Sequence, residues 1–493
     1  MTFKPVRHFS LTLFAGAALA LAGCAHVPAD PGAAKGPDFA QAQHLDTIVL
    51  ARDAWPVEAW WRDYRDPQLD SLMDKALAAS PTLAAAQARF AVAQAVVKSE
   101  QAAGGAQVGA GAGLNRQRYS ANGLFPEPIG GSWYTDSTLQ VRGSYDFDWW
   151  GKHRAQVAAA VGEANANAAE AAQARQALTA LIAQSYFRLQ LLWARDDNLA
   201  ALAKVQRALL ADRNARLAHG LATVDAQRGV ELELGRTLEQ SELLRTQAAR
   251  EREILRALVA AGPDDLNNLE RQLPPALPAA LPRTLGFELL ARRPDLQAAR
   301  WRVEAALGRV RASEAAFYPD LNLSASAGLN AISLGKLLRG ASRTMLGGAT
   351  LELPLFDSGR LEAGLGVARA ERDALLAEYN EAVLAAVRDV AAEGATLQGI
   401  GREIGAHGMA EGAASRLAAS AETRLKRGLA ERSSLLQAQL ETLRQRDGAL
   451  QLQDARLQTE VALVRALGGG YRAESLSTTV TAAASASAST QQH

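Results

Sequence analysis

The feature that most constrains this chain is that it is written twice. Gly151-Lys152 is echoed by Gly359-Arg360, and Arg216-Leu217 with Gly220-Leu221-Ala222 by Arg424-Leu425 with Gly428-Leu429-Ala430, both 208 residues on. Arg256-Ala257-Leu258 returns as Arg465-Ala466-Leu467 after 209 residues, and Ser80-Pro81-Thr82-Leu83 has a counterpart in Arg293-Pro294-Asp295-Leu296. A near-constant offset across separate landmarks marks two copies of one structural unit. The proline-rich stretch between them cannot be continuous helix.

Each copy reads as helix, strand, loop, strand, then two long helices. In the first, the helix is expected from Asp66 to Gln101. In residues 107–115, Val108, Ala110, Ala112 and Leu114 alternate with Gln107, glycines and Asn115. In residues 138–149, Leu139, Val141, Tyr145, Phe147 and Trp149 alternate with Thr138, Gln140, Arg142, Ser144, Asp146 and Asp148. The second copy repeats the pattern around Leu321, Leu323, Leu329, Met345 and Leu351. Period-two alternation specifies strands with one apolar and one polar face, and roughly 9–12 residues suit a tilted transmembrane strand. Singly, each strand is more often part of a soluble sheet with one buried face. Four of them, in two hairpins separated by helices too long to cover them, favour a membrane, with Leu139, Val141, Tyr145 and Phe147 facing lipid. Aromatic residues crowd the strand ends at Trp149-Trp150 and at Phe317-Tyr318.

The helices constrain the fold equally. Residues 151–218 contain no proline, and an unbroken helix of that span would be roughly 100 Å long. Leu436, Leu443, Leu450, Leu457 and Val464 recur every seventh residue, a coiled-coil seam. Gly394, Gly399, Gly401, Gly405, Gly408 and Gly412 load one long helix with residues costing ~1 kcal/mol each relative to Ala, so a break or kink is expected there.

Composition closes off other classes. The formal net charge is +1, from 53 basic and 52 acidic residues, which offers nucleic acid no electrostatic footprint. One cysteine and 7 histidines leave little for metal chemistry, and no metal or cofactor is expected. No phosphate-binding glycine loop, paired metal-ligand histidines or Ser-His-Asp set is present, so no catalytic residue is assigned and the chain is read as a non-enzyme. The cysteine has a different explanation. Lys4, Arg7 and His8 precede an apolar run, residues 11–21, that is too short for a mature membrane helix and reads as a secretion signal. It ends in Leu21-Ala22-Gly23-Cys24, which resembles the bacterial lipobox. That resemblance implies acylation of Cys24, and Ala25 after it implies sorting to the outer membrane.

Membrane strands must close into a barrel without free edges, and four strands cannot do so. Chains must therefore pool strands: two would make a barrel filled by side chains, three a twelve-stranded barrel wide enough for a lumen. The expected fold is mainly α with a transmembrane β section, the barrel being continued by a long α-helical coiled-coil barrel.

Three motifs give this architecture a family. Residues 60–69, Trp-Trp-Arg-Asp-Tyr-Arg-Asp-Pro-Gln-Leu, resemble the opening signature of TolC-like outer membrane factors, in their efflux-lipoprotein (NodT/OprM) branch. Arg292-Arg293-Pro294-Asp295-Leu296 and Phe317-Tyr318-Pro319-Asp320-Leu321 resemble the start of that family's second repeat. Ala466-Leu467-Gly468-Gly469-Gly470-Tyr471 resembles its closing motif, with Tyr471 in a place usually held by Trp. The similarity covers residues 40–472. It implies a homotrimeric exit duct that docks to a periplasmic adaptor and an inner-membrane pump, passing small molecules such as drugs out of the periplasm. A duct for polypeptide secretion would look the same. A lipidated periplasmic adaptor fits less well, because it would carry one hairpin rather than two.

The expected organisation is a signal peptide (1–23), a lipid-anchored N-terminal segment in the outer membrane (24–65), a first repeat (66–262), a linker (263–283), a second repeat (284–472) and a disordered tail (473–493). The turns at Gly220 and Gly428 mark the periplasmic tips. Arg216 and Asp225 flank one, and Arg424, Arg427, Glu431 and Arg432 flank the other. These are candidate gate residues, or simply solvated helix ends. As a gate, Arg427 or Arg432 would pair with Glu431 of a neighbouring subunit.

Overall fold

The duplication returns as a repeated order of elements. In this computed structural model the described residues are 27–32, 48, 54–275, 277, 282 and 286–472. The signal stretch, Cys24 and the expected tail lie outside them. The first copy supplies α1 (Pro67–Ala79), α2 (Pro81–Ala103), β1 (Gln107–Arg118), β2 (Trp133–Phe147), α3 (Lys152–Ala218) and α4 (Val224–Leu258). The second supplies α5 (Gly286–Arg292), α6 (Pro294–Ala315), β3 (Asp320–Ala331), β4 (Arg343–Glu352), α7 (Arg360–Lys426) and α8 (Arg432–Ala466). The matched helices have matched lengths: α3 and α7 are each 67 residues, α4 and α8 each 35.

Two sequence expectations change at the element boundaries. The helix expected from Asp66 to Gln101 is two helices, because Ser80 is extended (φ −66°, ψ 121°) before Pro81. A residue preceding proline is pushed out of the α region, and proline is favoured in the first helical turn. The same break separates α5 from α6 at Arg293-Pro294. The strand expected to run to Trp149 stops at Phe147, because the Asp148 carboxylate caps α3, accepting from the backbone N–H of His153 and of Arg154 at 3.0 Å each.

The chain divides into two units. One comprises residues 1–36, 89–167 and 299–379 and contains the sheet. The strands lie in the order β1-β2-β3-β4, antiparallel throughout, so two hairpins distant in sequence are zipped together by β2 and β3. In its helical part, α3 and α6 approach closely at small residues. A Cβ on Gly162 would fall 2.9 Å from the backbone N of Ala305, and one on Gly308 2.8 Å from that of Ala159.

The other unit comprises residues 37–88, 168–298 and 380–493 and holds the larger apolar core. Tyr186, Phe187, Leu189 and Leu191 of α3 are fully buried together with Leu255 of α4 and Leu457 of α8. The heptad residues Leu436, Leu450 and Leu457 belong to this core, with Leu443 and Val464 packed against it. The described linker residues carry no helix; they are held by side-chain amides. Gln68 brackets Glu270, donating to its carbonyl (3.3 Å) and accepting from its N–H (2.8 Å), while Gln190 donates to the Glu270 carbonyl (2.9 Å) and accepts from Gln272 N–H (2.8 Å). Irregular backbone inside a packed unit requires such partners.

The break expected around Gly394–Gly412 does not occur: α7 is one continuous helix. Gly401, Gly405 and Gly408 lie on its exposed side, whereas Val383, Ala386, Val390, Leu397, Ile400 and Ala414 are buried. Packing of that face outweighs a weak propensity penalty.

Candidate membrane face and helix-hairpin tip

Register decides what the sheet presents. Directly paired residues share a face, and the pairs Ala110↔Val141↔Ala327↔Met345 and Ala112↔Leu139↔Leu329 run across the strands. Val108, Tyr145, Phe147, Leu321, Leu323, Ala325 and Leu351 fall on the same face by alternation. Leu139, Val141, Tyr145 and Phe147 are thus brought together with the apolar residues of all four strands. The opposite face carries Gln107, Gln140, Arg142, Ser324, Ser326, Asn322, Thr350 and glycines, with Leu346 as an apolar exception. There Asn330 donates to Asp136 across β2 and β3 at 2.8 Å, and Asn322 donates to Asp146.

The apolar face is uncovered. Val108 is 75 % exposed, Val141 51 % and Met345 82 %. Soluble proteins do not leave a contiguous apolar sheet face of this extent open to water. The outer edges of β1 and β4 have no strand partner among the described residues, leaving two rows of unpaired N–H and C=O groups.

Aromatic residues band the sheet at both ends. At the helix side, Trp150 stacks on Tyr318 with ring centroids 4.5 Å apart and donates from Nε1 to the Pro319 carbonyl at 2.9 Å. The two aromatic groups predicted at separate strand ends are therefore one cluster. The loop-side band escaped the sequence reading: Tyr119 meets Phe125 (5.2 Å) and Tyr134 (5.9 Å), and Arg116 lies over Trp133. Its signal is the alternation extending back to Trp133 on the apolar face, ahead of the expected strand start; Tyr134 falls on the opposite face. From Trp133 to Tyr145, both on the apolar face, the strand spans roughly 40 Å at ~3.3 Å per residue. A ~45° tilt reduces this to about 28 Å, close to the height of the apolar band of a membrane barrel.

In the other unit, the two helix turns have one design. Gly220 (φ 70°) and Gly428 (φ 71°) occupy the left-handed region that favours glycine. Gly220 N–H donates to Leu217 O (3.0 Å) and Leu221 N–H to Arg216 O (2.8 Å). Gly428 and Leu429 repeat this with Leu425 O (2.9 Å) and Arg424 O (2.8 Å). The copies then diverge. Thr223 caps α4, accepting from Ala226 N–H at 3.3 Å. Glu431, at the matching position before α8, makes no cap bond. Its carboxylate instead takes both guanidinium nitrogens of Arg216, one at 2.8 Å, and accepts from Ser433 Oγ at 3.2 Å. The Arg216 hydrogen bond and charge hold the Glu431 carboxyl down at about 2.

Glu431 thus has a partner within its own chain, Arg216 of the other copy. Arg424, Arg427, Arg432 and Asp225 are exposed, with no ion pair among the described residues. Cys24 lies outside the described residues.

The family-like motifs converge elsewhere in this unit as fastenings. Trp60, Trp61 and Tyr64 are buried, and Asp66 both caps α1 (Gln68 N–H, 2.9 Å) and accepts from the Tyr186 hydroxyl at 2.6 Å. Arg293 forks onto Asp295 (3.0 and 2.6 Å) and donates to the Ala466 carbonyl (3.2 Å), tying the second-repeat motif to the closing one. Among the described residues no His/Cys/Asp/Glu group could hold a metal ion, and no helix is long and apolar enough to cross a membrane.

A four-stranded sheet with an uncovered apolar face, open edges and an aromatic band at each end defines a strand-contributing membrane-barrel protein, here one that also carries long helical hairpins. The Outer membrane efflux protein family model matches residues 72–261 and 285–469, once in each copy. The chain is 37% identical over 467 residues to the multidrug resistance outer membrane protein MdtP of Shigella flexneri, covering 93% of this chain and 96% of that protein. It resembles the crystal structure of the outer membrane protein VceC from Vibrio cholerae with a TM-score of 0.77 at 31% identity, covering 85% of this chain and all of that one. The Campylobacter jejuni CmeC outer membrane channel shares the fold at 19% identity, with a TM-score of 0.79 and coverage of 91% and 95%. The chain belongs to the outer membrane efflux protein family. It is an outer-membrane efflux duct, and its fold class is the one read from the sequence, mainly α with a membrane β section.

Proposed function

We propose that three copies of this chain form the exit duct of a tripartite drug-efflux system. Their sheets pool into a twelve-stranded barrel, and their hairpin tips meet a periplasmic adaptor fed by an inner-membrane pump. The observation that carries this reading is the uncovered apolar sheet face bounded by two free edges. With β1 and β4 antiparallel, β4 of one copy can pair with β1 of the next, and three copies leave a polar lumen. The relatives' name, multidrug resistance outer membrane protein, favours small-molecule cargo over the polypeptide cargo of a secretion duct. The activity is passage, not catalysis. Purified protein should run as a heat-stable trimer in detergent and conduct ions in planar bilayers. A monomer without conductance would refute the duct.

The repeats span residues 66–262 and 284–472 in this reading, joined by the linker 263–283. The segment 24–65 follows a signal peptide (1–23) and is anchored by lipid on Cys24. Mass spectrometry of the N-terminal peptide should show a diacylglyceryl cysteine, lost in Cys24→Ala; an unmodified wild-type peptide would remove the anchor. The tips form the gate. Arg216–Glu431 latches the two tips of one chain, and the unpaired Arg424, Arg427 and Arg432 face the neighbouring subunit, where Asp225 is the available acid. An exposed pair of this kind is a weak, salt-screened contact, within reach of an adaptor's binding energy.

A further inference from the structure

We propose that residues 27–32 are a docked strap, clamped by Arg369 and Arg372 of α7, which fixes the depth at which an acyl chain on Cys24 meets the membrane. The depth assignment rests on the lipid-anchor and barrel readings above; the clamp itself stands on contacts within one unit. Arg369 and Arg372 lie one turn apart, so both guanidinium groups leave α7 on one face. Arg372 is 3 % exposed; it pairs with both carboxylate oxygens of Asp30, one at 3.3 Å, and with Asp373 at 2.9 Å. Arg369 donates to the carbonyls of Ala29 (3.0 Å) and Pro28 (2.9 Å) and to Glu314 (3.2 Å). Asp30 also accepts from Gly32 N–H at 3.0 Å, folding the strap back on itself. Val27 packs on Val310, Leu365 and Ala368 beside Phe317.

Guanidinium groups this deeply placed are costly unless their donors are met, and here the strap meets much of that demand. The strap is therefore part of the packed unit, not a loose leader. Val27 is three residue steps from Cys24, and an extended chain covers at most ~3.6 Å per step, so the acyl attachment begins within about 11 Å of Val27. Val27, Pro28 and Asp30 line a groove of about 790 Å³ together with Trp150, Arg154 and Tyr318. Trp150 and Tyr318 form the helix-side aromatic band of the sheet. Anchor and aromatic band thus specify one membrane level, that of the inner-leaflet headgroups.

A nitroxide on Ala29→Cys, an exposed position of the strap, tests this in trimers reconstituted into phosphatidylethanolamine–phosphatidylglycerol vesicles. The expected result is an immobile spectrum and a headgroup-level depth, measured by relaxation with oxygen against a water-soluble nickel chelate. Asp30→Asn and Arg372→Ala should each mobilise the label and move it to the aqueous side, with acylation of Cys24 and the heat-stable trimer retained. Exchange of the charges, Asp30→Arg with Arg372→Asp, should restore part of the immobilisation. A mobile label in the acylated wild-type trimer would overturn the clamp, as would a label unmoved by either substitution. An immobile label on a chain whose Cys24 carries no lipid would overturn the depth assignment and the anchor reading together.

Discussion

Tyr471 stands where the resembled closing motif usually has Trp, and its hydroxyl is buried without a protein partner among the described residues. Burial pushes that hydroxyl up to about 12, so it stays protonated and is a donor with nothing to donate to. An unmet buried polar group costs about 1–3 kcal/mol, so Tyr471→Phe, which keeps the ring, should stabilise the protein by ~1 kcal/mol. Thermal unfolding in detergent followed by circular dichroism checks this; a lowered midpoint would mean that the hydroxyl finds a partner in the assembled protein. Asp66, Arg293 and Tyr64 were legible as members of motifs, but their tasks were not. Asp66 bonds Tyr186, and Tyr64 donates to the buried Glu460 at 3.2 Å, which Arg456 also holds at 2.7 Å. Arg216 and Glu431 were both singled out as tip residues. Their mutual pairing was not readable, because partners on different copies are related only through the packed fold.

At the scale of elements, the strands were legible because alternation is a local signal and lipid-facing alternation survives without a tertiary core. Their register was not, because nothing in β2 alone states that Leu139 meets Ala112 on one side and Leu329 on the other. Val141→Arg should impair assembly far more than Gln140→Arg, since a charge on a lipid-facing strand position costs about 2–4 kcal/mol near the midplane and little in a lumen. The yield of heat-stable trimer measures both; equal losses would argue that the face is covered by protein. The helices were legible from heptads and from the absence of proline. The expected break does not form, for a physical reason: glycine propensity is additive only when no packed face holds the helix, and α7 has one along its length.

For the whole molecule, the duplication is informative where it fails. Thr223 and Glu431 occupy matching turns, yet only Glu431 reaches across to the other copy's Arg216. The sign of its pH dependence follows from its lowered pKa. A carboxylate held at about 2 against an ordinary 4.5 contributes its pairing fully above pH 4.5 and loses it as pH falls through about 2. Resting conductance should therefore be flat from pH 8 to 5 and climb below ~4.5, while Glu431→Gln should be leaky at neutral pH and lack the acid step. Planar-bilayer recordings decide it: identical wild-type and Gln conductance at pH 7 would show that the latch does not hold the tips. High salt should partly imitate the substitution, since exposed pairs are screened. The two unpaired edges of the sheet extend this dependence on assembly back to biogenesis. A lone chain in transit exposes hydrogen-bonding rows that any extended peptide can occupy, so correct pairing competes with misaddition at every encounter. The stability of the β section is thus a property of protomer concentration as much as of sequence, and dilute or slowly delivered chains are the ones most exposed to loss.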